Sequence, residues 1–243
     1  MKVRIAYIEE PPFYWTADDG TVTGADIELA EVVLRAIGAT EIEYHPTSFE
    51  ALLPGVQAGR WDMNVPIFVT AERARHVAFS APVWAIGDGF VLQAGNPKRL
   101  TSYAAVAARS DARLGCVTDQ VQIDSAKAAG VSDDRIVIFK DQPDAVAALL
   151  GGQVDAFAST AIGARAVADT DKRLAAVSHE RDAGAAVPVG GFSFSRNSGA
   201  LVEAVNAKLR EYLGSADHRE RMAKYGFTRA EIDGVVANGG AKP

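Results

Sequence analysis

Between Ser102 and Ser178 the chain alternates short apolar runs with helical patterns, and this alternation narrows the possible folds more than any other feature. The order reads helix 102–107, strand 112–118, helix 121–129, strand 135–139, helix 143–150, strand 155–158, helix 161–168 and strand 174–178. Strands separated by helices are not joined as hairpins, so they are expected to run parallel, with helices on both faces of the sheet. Pro143 fits the first turn of its helix, where an N–H would have no partner anyway.

The flanking segments follow the same plan. Val3 to Ile8 reads as a buried strand, and Pro11 and Pro12 prevent the cluster Glu9 to Trp15 from continuing it. A helix with apolar positions Ile27, Ala30, Leu34 and Ile37 follows Gly24 and closes at Gly38. A strand at 41–44 and a helix from Ser48 to Ala58, ended by Gly59, come next. The stretch from Trp61 to Phe90 reads as strand 62–65, a turn forced by Pro66, a helical turn opening at Thr70, strand 76–79 and a break at Pro82. Gly87 to Gln93 leads away from this part and Gly184 to Phe194 returns to it. C-terminal helices are expected at 199–213, at 216–225 and from 229, with a frayed tail at 238–243. Gly59-x-x-Asp62 and Gly152-x-x-Asp155 each join an apolar helix to a buried strand, an internal echo of one plan used twice. The expectation is an α/β chain of two lobes, each a mixed, mostly parallel sheet flanked by helices, joined by two crossing strands. Lobe one would be 1–90 with 192–243, and lobe two 91–191.

At 243 residues two lobes of ordinary domain size are affordable. No apolar run reaches the roughly 18 to 20 residues of a membrane helix. A net charge of −6 with dispersed basic residues argues against a nucleic-acid partner and for a small molecule. The single Cys116 lies in an apolar run and reads as a small buried hydrophobe. The four histidines lack metal-ligand spacing, and Gly151-Gly152 and Gly190-Gly191 lack the pattern of a phosphate loop, so neither metal nor cofactor is expected. Met1 runs directly into a strand, without the pattern of a signal peptide.

Open α/β sheets bind ligands beyond the carboxyl ends of their strands. Glu10 and Phe13 follow the first strand, Phe68 and Arg73 the third, and Thr118 to Gln120 and Ser159 to Thr160 the corresponding strands of lobe two. Thr70 reads as a hydroxyl N-cap, which would set Arg73 at the mouth of a loop where a guanidinium meets a carboxylate with two parallel bonds. Taken singly, Phe13, Phe49 and Phe68 each read as core packing. As a set at strand ends and a helix start, they read as three walls of a box for a diffuse or alkylated cation.

Thr70-Ala-Glu-Arg73 followed by Val77-Ala-Phe-Ser-Ala-Pro82, together with the run Asp19 to Ala30, resembles the bacterial extracellular solute-binding proteins of family 3, the polar amino-acid type. The resemblance implies a two-lobed periplasmic-binding-protein type II fold and a non-enzymatic role. It further implies delivery of a bound solute to the membrane subunits of an ABC importer, and a periplasmic or other extracytoplasmic location with a leader removed. Arg73 would hold the ligand's carboxylate. Within Asp155-Ala-Phe-Ala-Ser-Thr160 the chain departs from the family, because Thr160 stands where an Asp pairs with an α-ammonium. Pro66 and Phe68 likewise replace Gly and Thr. Glu10 with Pro12-Phe13, Phe68 ahead of Thr70 and Arg73, Thr160, Asn96-Pro-Lys98, Ser102-Tyr103 and Ala126 to Gly130 are most similar to the subgroup that binds ectoine and hydroxyectoine. That resemblance implies that Glu10 takes ring N–H groups, the phenylalanines the delocalised charge and Arg73 the carboxylate.

Asp119-Gln120 departs from the subgroup's Gly-Thr. Gln120 can donate to a carboxylate at a helix start, and Asp119 reads as the N-cap. Turned to the ligand instead, Asp119 would favour a second positive group, as in a cationic amino-acid derivative or an opine. The resulting expectation is a monomeric solute-binding protein that closes on a compatible solute, a small zwitterion without a free α-ammonium (ectoine, hydroxyectoine or betaine-like). An amino-acid or opine binder is the alternative, followed by an enzyme like cyclohexadienyl dehydratase with Glu10 as general acid, although no second catalytic group stands beside Glu10. A detached receptor sensor domain is a third class, and it would need a membrane span after Pro243.

Overall fold

The computed structural model describes residues 1–180 and 186–236. The expected tail at 238–243 and the start of the returning segment at Gly184 lie outside them. The first part of the chain holds β1 (Lys2–Tyr7), β2 (Trp15–Thr16), β3 (Val22–Thr23), α1 (Ala25–Ala36), β4 (Glu41–Pro46) and α2 (Phe49–Gln57). It continues with β5 (Met63–Phe68), α3 (Ala71–Ala74), β6 (Ala78–Phe79) and β7 (Trp84–Ala85). The middle holds β8 (Asp88–Gln93), α4 (Tyr103–Ala107), β9 (Leu114–Val117), α5 (Gln122–Ala128), β10 (Ile136–Phe139), α6 (Gln142–Leu150), β11 (Ala156–Thr160), α7 (Ala161–Thr170) and β12 (Leu174–Ser178). The last part holds β13 (Val189–Phe194), α8 (Gly199–Tyr212), α9 (Ala216–Lys224) and α10 (Arg229–Val236). Two compact units result: one runs from Met1 to Ile86 and resumes at Val187, and the other runs from Gly87 to Ala186.

The first unit is built on a sheet of order β4-β1-β5-β13-β6, with β7 also paired to β13. β1 is parallel to β4 and β5, whereas β13 is antiparallel to β5, β6 and β7. Strand β5 runs straight through Pro66, where the sequence pattern predicts a turn. The ladder explains this. β5 pairs with β1 at Met63 and Asn64 and with β13 at Met63, Asn64, Ile67 and Phe68, with an irregularity in β13 between Gly191 and Ser193. Val65 and Pro66 fall opposite that irregularity and have no ladder partner, so the missing proline N–H leaves no gap there. Asn64 ties the strands together from the side, accepting from Trp61 Nε1 at 2.5 Å and donating to Ser193 Oγ at 2.9 Å.

The second unit has the order β10-β9-β11-β8-β12. β9, β10 and β11 are parallel, as the helix-strand alternation predicts, but β8 runs antiparallel to both β11 and β12. No helix of this unit precedes β8, so no right-handed crossover fixes its direction. Phe90 and Leu92 pack with Leu114, Cys116 and Ala158 in one cluster, while Val91 packs with Val117, Leu149 and Phe157 in another. Both faces of the sheet are therefore covered, which is why its strands read as continuous apolar runs rather than alternating ones. Cys116 has no exposed surface, and burial pushes its thiol up to about 12.

The loop after β1 is clamped to the start of α1. Ala25 N–H donates to the Pro12 carbonyl and Asp26 N–H to the Phe13 carbonyl, both at 3.0 Å. Gly24 makes the approach possible: its φ is 130°, and a Cβ there would lie 2.2 Å from the Phe13 carbonyl oxygen. Gly24→Ala is expected to destabilise the protein by about 3 kcal/mol, from the strained backbone and the clash together. Urea unfolding measures this, and a loss below about 0.5 kcal/mol, the usual range for surface changes, would show that the clamp is dispensable.

Candidate ligand site

In the first unit the clamped loop folds back on itself. Glu10 N–H donates to the Tyr14 carbonyl at 2.9 Å, Phe13 N–H donates to the Glu10 carbonyl at 3.0 Å, and the Tyr14 hydroxyl donates to Glu10 Oε2 at 3.3 Å. Glu10 is buried, with 8% of its surface exposed. Burial raises the Tyr14 hydroxyl well above its usual value, the charges of Glu10 and Asp26 add to this, and Arg73 opposes it. One tyrosine thus feels two carboxylates and a guanidinium. Asp26 is missing from the residues the sequence pattern singles out. It lies on the buried face of α1 with Ala30 and Val33, has no exposed surface, and accepts from Trp84 Nε1 at 3.3 Å through Oδ2. Its Oδ1 has no partner among the described residues. Burial raises its pKa well above the carboxylate range, against the lowering effect of the Trp84 N–H, and Glu10 raises it further. An acid on an otherwise apolar helix stripe is the signal in the sequence that points to it.

At the end of β5, Thr70 is the N-cap that the sequence predicts: its Oγ1 accepts from Arg73 N–H at 3.1 Å. The cap fixes the turn of α3. Arg73 is buried, donates from Nη1 to the Phe68 carbonyl at 2.9 Å, and holds its guanidinium carbon 5.1 Å from the centre of the Phe49 ring. The three phenylalanines stand differently. Phe49 turns its ring to Arg73, and Phe68 is partly exposed and meets Trp84 edge to face at 5.2 Å. Phe13 is 2% exposed and packs against Tyr14, Trp84 and Phe227. Trp84 therefore stands in contact with both Phe13 and Phe68. Nothing in its local sequence distinguishes it from a core tryptophan after a proline.

In the second unit, Thr160 ends β11 and is the N-cap of α7, its Oγ1 accepting from Gly163 N–H at 3.0 Å. Gln120 is partly exposed, and Asp119 is exposed in a left-handed conformation with φ 59°. The N-cap position of α5 falls on Val121, with no side-chain cap bond, so Asp119 is not the N-cap expected from its residue type. The turn places Asp119 two residues ahead of that position. Asp88, at the start of β8, is in register with Thr160 across the antiparallel ladder. It accepts from the Tyr103 hydroxyl at 2.8 Å and from Gln122 Nε2 at 3.0 Å, and burial nevertheless raises its pKa. His179 lies edge-on to Phe90 and Tyr103, and burial pushes it down to about 4. Among the described residues no group of three or more His, Cys, Asp or Glu is placed to hold a metal. No helix among them is long and apolar enough to cross a membrane.

The first unit thus brings together a guanidinium suited to a carboxylate and buried acids beside aromatic rings suited to a positive charge. Against known proteins, the sequence profile of bacterial extracellular solute-binding proteins, family 3, matches residues 3–228. The probable amino-acid ABC transporter periplasmic-binding protein y4tE of Sinorhizobium fredii (strain NBRC 101917 / NGR234) is 28% identical, over 96% of this chain and 79% of that protein. The crystal structure of EhuB in complex with hydroxyectoine superposes with a TM-score of 0.86 at 27% identity, covering 99% of this chain and 95% of that one. An ancestral arginine-binding protein bound to glutamine shares the fold, with a TM-score of 0.81 at 23% identity over 92% of this chain and 97% of that one. The architecture is that of a two-lobed type II periplasmic binding protein.

Asp26 makes the site's electrostatics measurable. With its folded pKa raised above the ordinary 3.8, the unfolded chain releases this proton first. The protonated carboxyl costs nothing below 3.8, and folding stability then falls by about 1.4 kcal/mol per pH unit as pH rises from there towards the folded pKa. Asp26→Asn removes that dependence. The stability difference between variant and parent, from urea unfolding at stepped pH, should shift in favour of the variant above pH 4. A difference that stays flat with pH would contradict a neutral Asp26.

Proposed function

Given that this chain belongs to the bacterial extracellular solute-binding proteins, family 3, and so binds solute for an amino-acid type ABC transporter, we propose that its solute is a small zwitterion without a free α-ammonium. Ectoine, hydroxyectoine and betaines are the compounds of this description to test. The observation that carries the reading is the end of β11, where Thr160 caps α7 with its hydroxyl and offers no carboxylate for an ammonium. In the first lobe the positive charge would instead be met by the Phe68 ring and the Glu10 carboxylate. Arg73 would take the ligand's carboxylate, its turn set by Thr70 and its guanidinium by the Phe49 face. Phe13 would back the aromatic surface. In the second lobe the proposal assigns Gln120 to the carboxylate, and Asp119 and Thr160 to the remaining polar edge of the ligand. The likeness to EhuB, solved with hydroxyectoine, supports this choice of solute. Its place of action is then the periplasm or another extracytoplasmic compartment, with the membrane subunits of the transporter as partner.

A second reading has its own support. Asp88 is a partly buried acid in register with Thr160, and a ligand carrying a second positive group, such as a cationic amino-acid derivative or opine, would use it.

A thermal-shift screen of refolded, ligand-stripped protein separates the two. At a ligand concentration about a hundredfold above Kd, native-state binding adds about 2.7 kcal/mol and raises Tm by several degrees. Ectoine, hydroxyectoine, glycine betaine or proline betaine is expected to give the shift, Arg73→Ala to abolish it, and Phe68→Ala to weaken binding by about tenfold. A shift only with ordinary or basic α-amino acids, lost in Asp88→Asn, would overturn the zwitterion reading in favour of the second.

A further inference from the structure

Phe68, Gly190 and Trp84 form a row across three strands of the first unit. Gly190 in β13 pairs with Phe68 of β5 on one side and with Trp84 of β7 on the other. The indole of Trp84 lies over Gly190: a Cβ there would sit 2.0 Å from a ring carbon. Only a residue without a side chain at 190 lets the tryptophan cross the central strand and reach the Phe68 ring, which it meets at 5.2 Å and 85°. At its other edge the indole touches Phe13 at 5.8 Å, and its N–H donates to Asp26. Trp84 is 5% exposed, so it supports a surface rather than presenting one.

We propose that Trp84 is the positioning residue of the aromatic surface in this lobe, held by the Asp26 carboxyl at its N–H and by the bare backbone of Gly190 beneath its ring. This deepens the zwitterion reading and rests on it for its consequence, since Phe68 is the ring that the solute's positive charge would meet. A ring attracts a cation through its face, and the attraction depends on where that face points. Trp84 fixes the edge-to-face angle of Phe68 and backs Phe13, so one buried indole sets two rings at once. Asp26 fixes the indole in turn. An anchor of this kind needs an acceptor and not a charge, which distinguishes the roles of Asp26→Asn and Asp26→Ala.

The test has two arms. In the unliganded protein labelled with 5-fluorotryptophan, the three tryptophans give fluorine resonances, of which Trp84→Phe removes one. Gly190→Ala and Asp26→Ala are expected to move that resonance and leave those of Trp15 and Trp61 in place, while Asp26→Asn, which keeps an acceptor, holds it near the parent position. In the second arm, calorimetry compares proline betaine with cyclopentanecarboxylate, which carries the ring and carboxylate without the cation. The preference for the cation is expected to fall by about tenfold in Gly190→Ala and Asp26→Ala, and to be largely rescued in Asp26→Asn. A purely structural role would weaken both ligands equally and leave the preference intact.

An unmoved resonance in both disruptive variants, or a moved resonance with an unchanged preference, overturns the proposal. If the parent binds neither proline betaine nor ectoine, the zwitterion reading falls by itself, and the fluorine arm alone then supports or overturns the positioning role. Should Gly190→Ala fail to fold, Asp26→Ala carries both arms.

Discussion

The hydrogen bonds from Ala25 and Asp26 N–H to the carbonyls of Pro12 and Phe13 hold together the loop and helix residues of the first lobe's candidate site. They set the loop after β1 against the first turn of α1, and Gly24 has the only residue type that permits so close an approach without a clash. Once they form, Glu10, Phe13 and Tyr14 on the loop and Asp26 on the helix are neighbours by construction. Trp84 then bridges Asp26 to Phe68 at the end of the central strand. The loop side of the candidate site is a consequence of this backbone contact, and the arginine side of the Thr70 cap.

The electrostatics follow the same logic. Asp26 and Glu10 are both buried in one lobe, and at Asp26 burial outweighs the Trp84 N–H, so its proton is retained well above the ordinary range. The guanidinium of Arg73 lies across the Phe49 ring with a backbone carbonyl at Nη1. Its orientation is thus set by groups of its own unit, which on the proposed reading would lower the ordering cost of binding a carboxylate. In the second lobe the polar groups at the strand ends already have local work: Thr160 caps a helix, and Asp88 is bonded to Tyr103 and Gln122. Family membership points to binding rather than catalysis.

Several particulars show where sequence patterns stop. The helix closed at Gly38 and the Thr70 cap beside Arg73 follow from residue type and spacing alone, because each rests on contacts within a few residues; the parallel core of the second lobe pairs distant strands, and its direction follows from the helix-strand alternation. Pro66 misleads for the opposite reason. A proline predicts a break, and only the irregularity in β13, more than a hundred residues away, leaves its position without a ladder partner. Asp119 has the residue type of an N-cap but sits in a left-handed turn two residues ahead of the capping position.

The sequence by itself determined the two-lobed α/β plan, the family and the identity of the arginine turn, since hydrophobic periodicity and a short local motif carry that information. Tertiary structure alone decided which aromatic rings meet. Trp84, Gly190 and Phe68 are separated along the chain, and their row exists because three strands pair in one register with a glycine between two large rings. It also decided that Asp26 is buried and accepts from the Trp84 N–H. An acid near a helix start normally reads as a solvated residue that favours the helix dipole; the apolar stripe around Asp26 signals otherwise, and the packing of α1 against the sheet decides it.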